Sequence, residues 1–490
     1  MEQNKKELGL LLPVASLPSP WGVGDLGQEA YRLVDMLAEA GFGIWQILPL
    51  NPLGFGNSPY QPYSSFAGDE IYISLERLVS EGLLTEQEMP QDEAADLKRI
   101  DYRKARARKM PCLFKAYSRF RPDSAYEEFA SWQWVRQYGI YKAFSKENEG
   151  KCWNQWPDWQ KFWPERQEGD LEPYREEINR QIFFQYLFYR QWMELKEYAN
   201  QKDLRVMGDV PFYVGLDSQD VWGGKANFLL DQEGRPTYIA GVPPDYFSAT
   251  GQRWGNPIYD WEYQRERQYS FWSERIGYNG RLYDILRIDH FRAFDTFWKI
   301  PASCPTAVEG EWVEAPGYEV LDRILADHPK LTLVAEDLGL LRPQVYDLRD
   351  HYGFPGMKIL QFTIDVSGKR AVDRMKNSEN LIVYTGTHDN ASVREWYEGL
   401  SVSGRRKVRR FLKQQGCTQG SPTKRLLEYA LRCPARFVIL PAADILGQGA
   451  EGRINTPGTV GSPNWEWRLR SLDELERGKL MSLRTLRWYK

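Results

Sequence analysis

Short apolar runs bounded by Gly, Pro, Asp and Asn recur along the chain, with helix-like stretches between many of them. Strands covered on both faces read as near-continuous apolar runs, so this alternation predicts a buried parallel sheet crossed over by helices. Residues 9–15, 44–50, 205–211, 285–289, 331–336, 358–362, 381–385 and 436–440 are the eight predicted strands. A helix is predicted over 26–40 (LGQEAYRLVDMLAEA), where apolar residues fall at helical spacing and Gly41 is placed to end it. Eight such units predict a (β/α)₈ TIM barrel, a fold in which chemistry sits where strands end and the following loops begin.

The spacing between the predicted strands is uneven. More than a hundred residues separate the second from the third, rich in charge and in helical patterns such as 174–200 (YREEINRQIFFQYLFYRQWMELKEYAN). That length exceeds a compact loop, so a mainly helical insertion subdomain over 81–180 is expected, together with the returning barrel helix. The stretch 212–280 is rich in Gly, Pro and Trp and reads as long ordered loops over the barrel mouth. Neither an internal repeat nor a low-complexity tract is visible. The expected organisation is one catalytic barrel, 1–490, with these insertions and without a separate C-terminal β-domain.

Composition narrows the function. Lys plus Arg number 64 against 67 for Asp plus Glu, a net charge of -3, so no global field recruits nucleic acid or acidic membranes. No uncharged apolar stretch approaches the roughly 20 residues of a membrane helix. Pro13, Pro18 and Pro20 interrupt the short N-terminal apolar patch where a signal sequence wants a helix. A soluble, unexported, cytoplasmic protein is expected. Cys112, Cys152, Cys304, Cys417 and Cys433 form no CxxC pair, and no HExxH occurs, so neither a disulfide framework nor a metal site is expected. No GxGxxG follows a strand and opens a helix, which disfavours a dinucleotide cofactor. Aromatic residues make up 14% of the chain, an excess that suits either a large core or stacking on sugar rings.

Three of the predicted strands end in acids: LRIDHF at Asp289, LTLVAED at Glu336 and YTGTHDN at Asp389. A carboxylate at each of several strand ends is what glycosidic bond chemistry requires. Arg287, two residues before Asp289 and on the same side of the strand, would keep Asp289 ionised for nucleophilic attack. The alternative is a structural ion pair closing the barrel. Glu336, at the edge of an apolar strand, is a candidate for a raised pKa and so for a general acid. Asp337 points the other way and is expected to cap the following turn or helix. Asp389, beside His388, is placed to hold sugar hydroxyls and favour a positively charged transition state. Tyr60 in GNSPYQPY is a candidate ring platform, and the run 241–260 (GVPPDYFSATGQRWGNPIYD), which carries Trp254, resembles a lid.

Together with GDVPFYV, INTPGT and NWEWR, these motifs resemble the amylomaltase or 4-α-glucanotransferase family, glycoside hydrolase family 77, over nearly the whole length. The resemblance implies an α-amylase-type barrel with Asp289 as nucleophile, Glu336 as acid/base and Asp389 as transition-state stabiliser. It further implies that Arg287 and His388 contact substrate near these acids. Tyr60, Asp365 and Asn464 match sugar-binding positions, Trp254 a glucan-covering loop, and Asp209 a support for the barrel mouth. The implied partners are an α-1,4-glucan donor and a sugar acceptor, with no cofactor. Two departures stand out: 374–377 (RMKN) replaces a Pro-His-Asn-Tyr stretch, and Ala391 and Ser392 follow Asn390 where a second acid is common. The rival expectations are an α-glucan hydrolase using the same site and a catalytically silent glucan-binding protein.

Overall fold

The computed structural model describes residues 6–91, 98–244, 248–339, 341–375, 378–475 and 480–483. β1 (Glu7–Leu11), β2 (Ile44–Gln46) and β3 (Arg205–Val210) begin the central barrel. β4 (Tyr238–Val242) and β5 (Gln252–Pro257) leave it, β6 (Ile285–Ile288) returns, and β7 (Thr296–Pro301) and β8 (Glu311–Glu314) leave again. β9 (Leu333–Ala335) and β10 (Gly356–Ile359) return, β11 (Ile364–Asp365) and β12 (Val372–Asp373) form a small hairpin, and β13 (Leu381–Tyr384) and β14 (Phe437–Pro441) complete the barrel.

The eight barrel strands pair in the order β10-β13-β14-β1-β2-β3-β6-β9, all parallel. Among the described residues, β9 and β10 close the ring through a single backbone bond, Ala335 N to Pro355 O at 3.3 Å. Asp337 reinforces that seam, its Oδ1 accepting from Met357 N at 2.7 Å and its Oδ2 pairing with Arg349. The expected role of Asp337 as a cap is therefore replaced by a stitch across the barrel, because β9 and β10 share too few backbone bonds to close it themselves.

All eight predicted strands exist with shifted bounds: most stop short of the predicted end, β1 and β10 begin two residues earlier, and β14 runs on to Pro441. β1 stops at Leu11 because Pro13 has no N–H to continue the ladder, and Val14–Ser16 turns into a short 3-10 helix. Beyond Ile359, residues Leu360–Thr363 form a helical turn where strand was expected. The helix Gln28–Glu39 buries Ala30, Leu33, Val34 and Leu37 and ends at Gly41, whose φ of 74° only glycine adopts without strain.

Between β2 and β3 lie the helices Tyr102–Arg119, Gln133–Glu147 and Arg175–Gln201, the last returning the chain to the barrel. Within 212–280, where long loops were expected, β4 and β5 join β7 and β8 in a four-stranded antiparallel sheet, order β5-β4-β7-β8. Among the described residues no helix is long and apolar enough to cross a membrane.

Lys109, on the helix Tyr102–Arg119, reaches Asp25 at 2.9 Å with both side chains almost wholly buried. Burial pushes the Asp25 carboxyl up to about 6 despite the Lys109 charge. Lys109→Met strands that acid without its cation and should cost about 3 kcal/mol at pH 8. The folded-state pKa of Asp25 lies above its ordinary value and rises further in the variant. The protonated acid is therefore favoured in the fold, and the loss should shrink at pH 5, as read from urea midpoints at both pH values.

Candidate active site

At the mouth of the barrel, β3 and β6 lie side by side with Asp209 opposite Arg287. Arg287 Nη1 is 2.6 Å from Asp209 Oδ2 and 2.9 Å from Asp289 Oδ1, so one buried guanidinium joins two carboxylates. Asp289 stands one residue beyond β6, its N–H held by Val210 O at 3.0 Å. Its carboxylate retains solvent contact, whereas Asp209 is wholly enclosed and its Oδ1 has no hydrogen-bond partner. Burial pushes the Asp209 carboxyl upward, with Arg287 opposing. The same two acids hold the Arg287 guanidinium far above its ordinary range against its own burial.

Glu336 follows β9 directly, and its Oε2 accepts from His290 N at 2.9 Å. It is half-buried, and burial pushes its carboxyl up to about 8, with Arg287 opposing the rise and the neighbouring Asp289 adding to it. The turn that brings His290 to this position has φ of 53°, a left-handed conformation uncommon outside glycine. Burial also drives the His290 imidazole down to about 4, so it is neutral near pH 7.

Asp389 is in the opposite state. Burial alone would raise it, yet the adjacent His388 charge, 3.4 Å from Oδ2, and the Asn455 amide, 2.6 Å from Oδ1, bring it down to about 2. His388 is buried, which disfavours its charged form, but Asp389 prevails and its pKa is raised. Tyr60 stacks on His388 with ring centroids 5.0 Å apart and donates its hydroxyl to Asp209 Oδ2 at 2.8 Å. Tyr60, Arg287, Asp209, His388 and Asp389 thus form one continuous network.

Trp254, on β5, meets His290 edge to face at 4.9 Å, so the antiparallel sheet overhangs the cleft. Of the loop 241–260, residues 245–247 lie outside the described residues. Asp365 sits on the short hairpin after β10, where Arg374 Nε and Nη2 approach its Oδ2 at 3.0 and 2.6 Å. The RMKN departure therefore supplies a counter-ion to a predicted sugar-binding acid; Lys376 and Asn377 of that run lie outside the described residues. Asn464 is buried, with its Oδ1 taking Thr456 N and its Nδ2 reaching Thr459 O and Oγ1. Its polar atoms brace the loop that carries Trp465 against Tyr60 and His388.

The sequence reading assigned nothing to Asn455, although the INTPGT run that contains it was visible. Its contact with Asp389 spans 66 residues of chain. Among the described residues no group of three or more His, Cys, Asp or Glu is arranged to hold a metal ion.

The sequence profile described as 4-alpha-glucanotransferase matches residues 12–474. The chain is 41% identical over 486 residues to the 4-alpha-glucanotransferase of Synechocystis sp., covering 95% of this chain and 94% of that one. It is 40% identical over 490 residues to that of Thermus thermophilus, covering 95% of each. The fold matches amylomaltase from Streptococcus agalactiae in complex with acarbose, with a TM-score of 0.91, 35% identity and 98% of both chains covered. With the barrel and its strand-end acids in place, these likenesses establish that the chain belongs to the 4-alpha-glucanotransferase family, glycoside hydrolase family 77.

Proposed function

We propose that this chain transfers a segment of an α-1,4-glucan to the 4-hydroxyl of glucose or a maltooligosaccharide by a retaining double displacement. The observation that carries this reading is the convergence of three strand-end acids at one barrel rim, two of them, Glu336 and Asp389, in opposite protonation states. Glu336 is held protonated near neutrality, Asp289 is paired with Arg287, and Asp389 is held ionised. A protonated Glu336 suits the general acid of a retaining glycosidase, and Asp289, one residue past β6 and held by Arg287, is placed as its nucleophile.

In the first half of the proposed reaction Glu336 gives its proton to the glycosidic oxygen, the bond from that oxygen to the anomeric carbon breaks, and Asp289 forms an ester with that carbon. The departing glucan leaves with the proton. In the second half the Glu336 carboxylate takes the proton of an acceptor 4-hydroxyl, whose oxygen displaces Asp289 and restores the configuration. Asp389, ionised and oriented by Asn455, favours the positive charge that develops on the sugar in both halves. Arg287 and His388 are proposed to contact the same sugar, with Tyr60 as its platform and Trp254 as a cover that limits water. Asp365 is proposed as a rim contact modulated by Arg374, and Asn464 as a residue that positions the Trp465 loop.

The proposed domain organisation is one catalytic barrel, 1–490, bearing a mainly helical insertion, 81–180, and the segment 212–280 over the mouth. The proposed compartment is the cytoplasm, since all five cysteines are free thiols and a reducing environment suits them.

Incubation with maltotriose, followed by chromatography, should yield glucose together with chains longer than the substrate; shorter products alone would indicate a hydrolase. Glu336→Gln should lower chain lengthening by a factor of about 10² or more, and persistence in that variant would overturn the acid/base assignment. Because Glu336 must enter the cycle protonated, kcat/KM should fall as pH rises through about 8, while Asp389, at about 2, adds no acid limb in the working range. Asn455→Ala removes a hydrogen bond to an ionised group and should reduce kcat by roughly tenfold, measured on the same substrate.

A further inference from the structure

Among the described tryptophans Trp312 alone is exposed, at 42%. It lies on β8, directly opposite Trp298 of β7 in the antiparallel sheet, with ring centroids 5.2 Å apart at 64°. The Trp298 indole is itself anchored, its N–H donating to Ala307 O at 2.9 Å. Gly310 makes room for it, since a Cβ there would stand 2.4 Å from the Trp298 ring. The Arg292 guanidinium sits 4.1 Å from the centroid of Trp312, well within cation–π range. An aromatic ring held in place by a cross-strand partner and a cation, while open to water, has given up conformational freedom without gaining burial. That is the condition of a preformed stacking surface.

Its position ties it to the cleft. Arg292 belongs to the turn Phe291–Phe294 that directly follows Asp289 and His290. Trp254, which meets His290, lies on β5 of the same sheet. One sheet therefore carries an indole beside the catalytic carboxylates and a second, exposed indole on the far side of Arg292.

We propose that Trp312 is an outer glucan-binding platform on which a glucose unit of a long α-1,4-glucan stacks after the chain has passed Arg292, so that this residue sets the preference for long over short substrates. The inference rests on the glucan-transfer reading above. Sugar rings present C–H faces to indoles, and loss of one such stacking contact should weaken binding by about three- to tenfold.

The test compares Trp312→Ala, Trp312→Leu and Trp312→Phe with the unaltered enzyme on maltotriose and maltoheptaose. The expected result is a KM for maltoheptaose raised about three- to tenfold in the Ala and Leu variants, largely restored in Phe, with maltotriose kinetics unchanged. Equal changes for both substrates, no change for either, or a shift in oligomeric mass by light scattering would overturn the proposal, the last by marking a protein contact. The Leu variant keeps apolar bulk and decides the question should the Ala variant fail to fold. If the unaltered enzyme lengthens no maltotriose, the transfer reading fails separately. Calorimetric titration of maltoheptaose into the Leu variant then judges Trp312, with affinity equal to that of the unaltered protein rejecting it.

Discussion

Arg287 holds Asp209 and Asp289 by one nitrogen, at 2.6 and 2.9 Å, in a place where almost no water reaches the guanidinium. An ionised group so placed would be costly to bury by itself, and the two acids supply the compensation. Of the pair, Asp209 is sealed in and takes Tyr60 as a further partner, while Asp289 faces the cleft. The arrangement leaves one carboxylate of the pair open to solvent. It also governs the neighbours: the positive charge opposes the rise in Glu336 and supports ionisation of Asp389. Loss of Arg287 would therefore change three protonation states and not merely one contact.

The barrel explains why these groups meet. Parallel strands deliver their C-terminal ends to one rim, so residues just past β6, β9 and β13 converge although about fifty residues of chain separate each from the next. The rim is not symmetric. On one side the β9/β10 seam depends on Asp337, and on the other the segments after β3 and after β6 build an antiparallel sheet whose Trp254 meets His290. That sheet carries Trp254 and Trp312, so the aromatic surfaces and the acids come from different structural layers.

Much of this was legible in the residues. Asp289 and Glu336 each end an apolar run, Asp389 follows one after a short TGTH stretch, and Arg287 falls two residues before Asp289, a spacing that puts both side chains on one side of an extended strand. Asn455 was not legible in the same way: an Asn before a Thr-Pro turn has a sufficient local reading, and its partner is distant in sequence. Asp337 misled for a related reason, since an acid after a strand ordinarily satisfies a nearby N–H, whereas here the needy N–H belongs to Met357. The β4, β5, β7 and β8 sheet was obscured by Gly and Pro, which weaken strand patterning even where cross-strand partners later stabilise it.

The sequence alone determined the eight-strand alternation, the acids at the strand ends and the family likeness, because each depends on local periodicity or on the order of short motifs. Tertiary structure alone decided which acid is protonated, which is sealed by Arg287 and which tryptophan is left in water. Those outcomes depend on burial and on charges that come together only when remote strands close into a ring, and no window of sequence contains both members of such a pair.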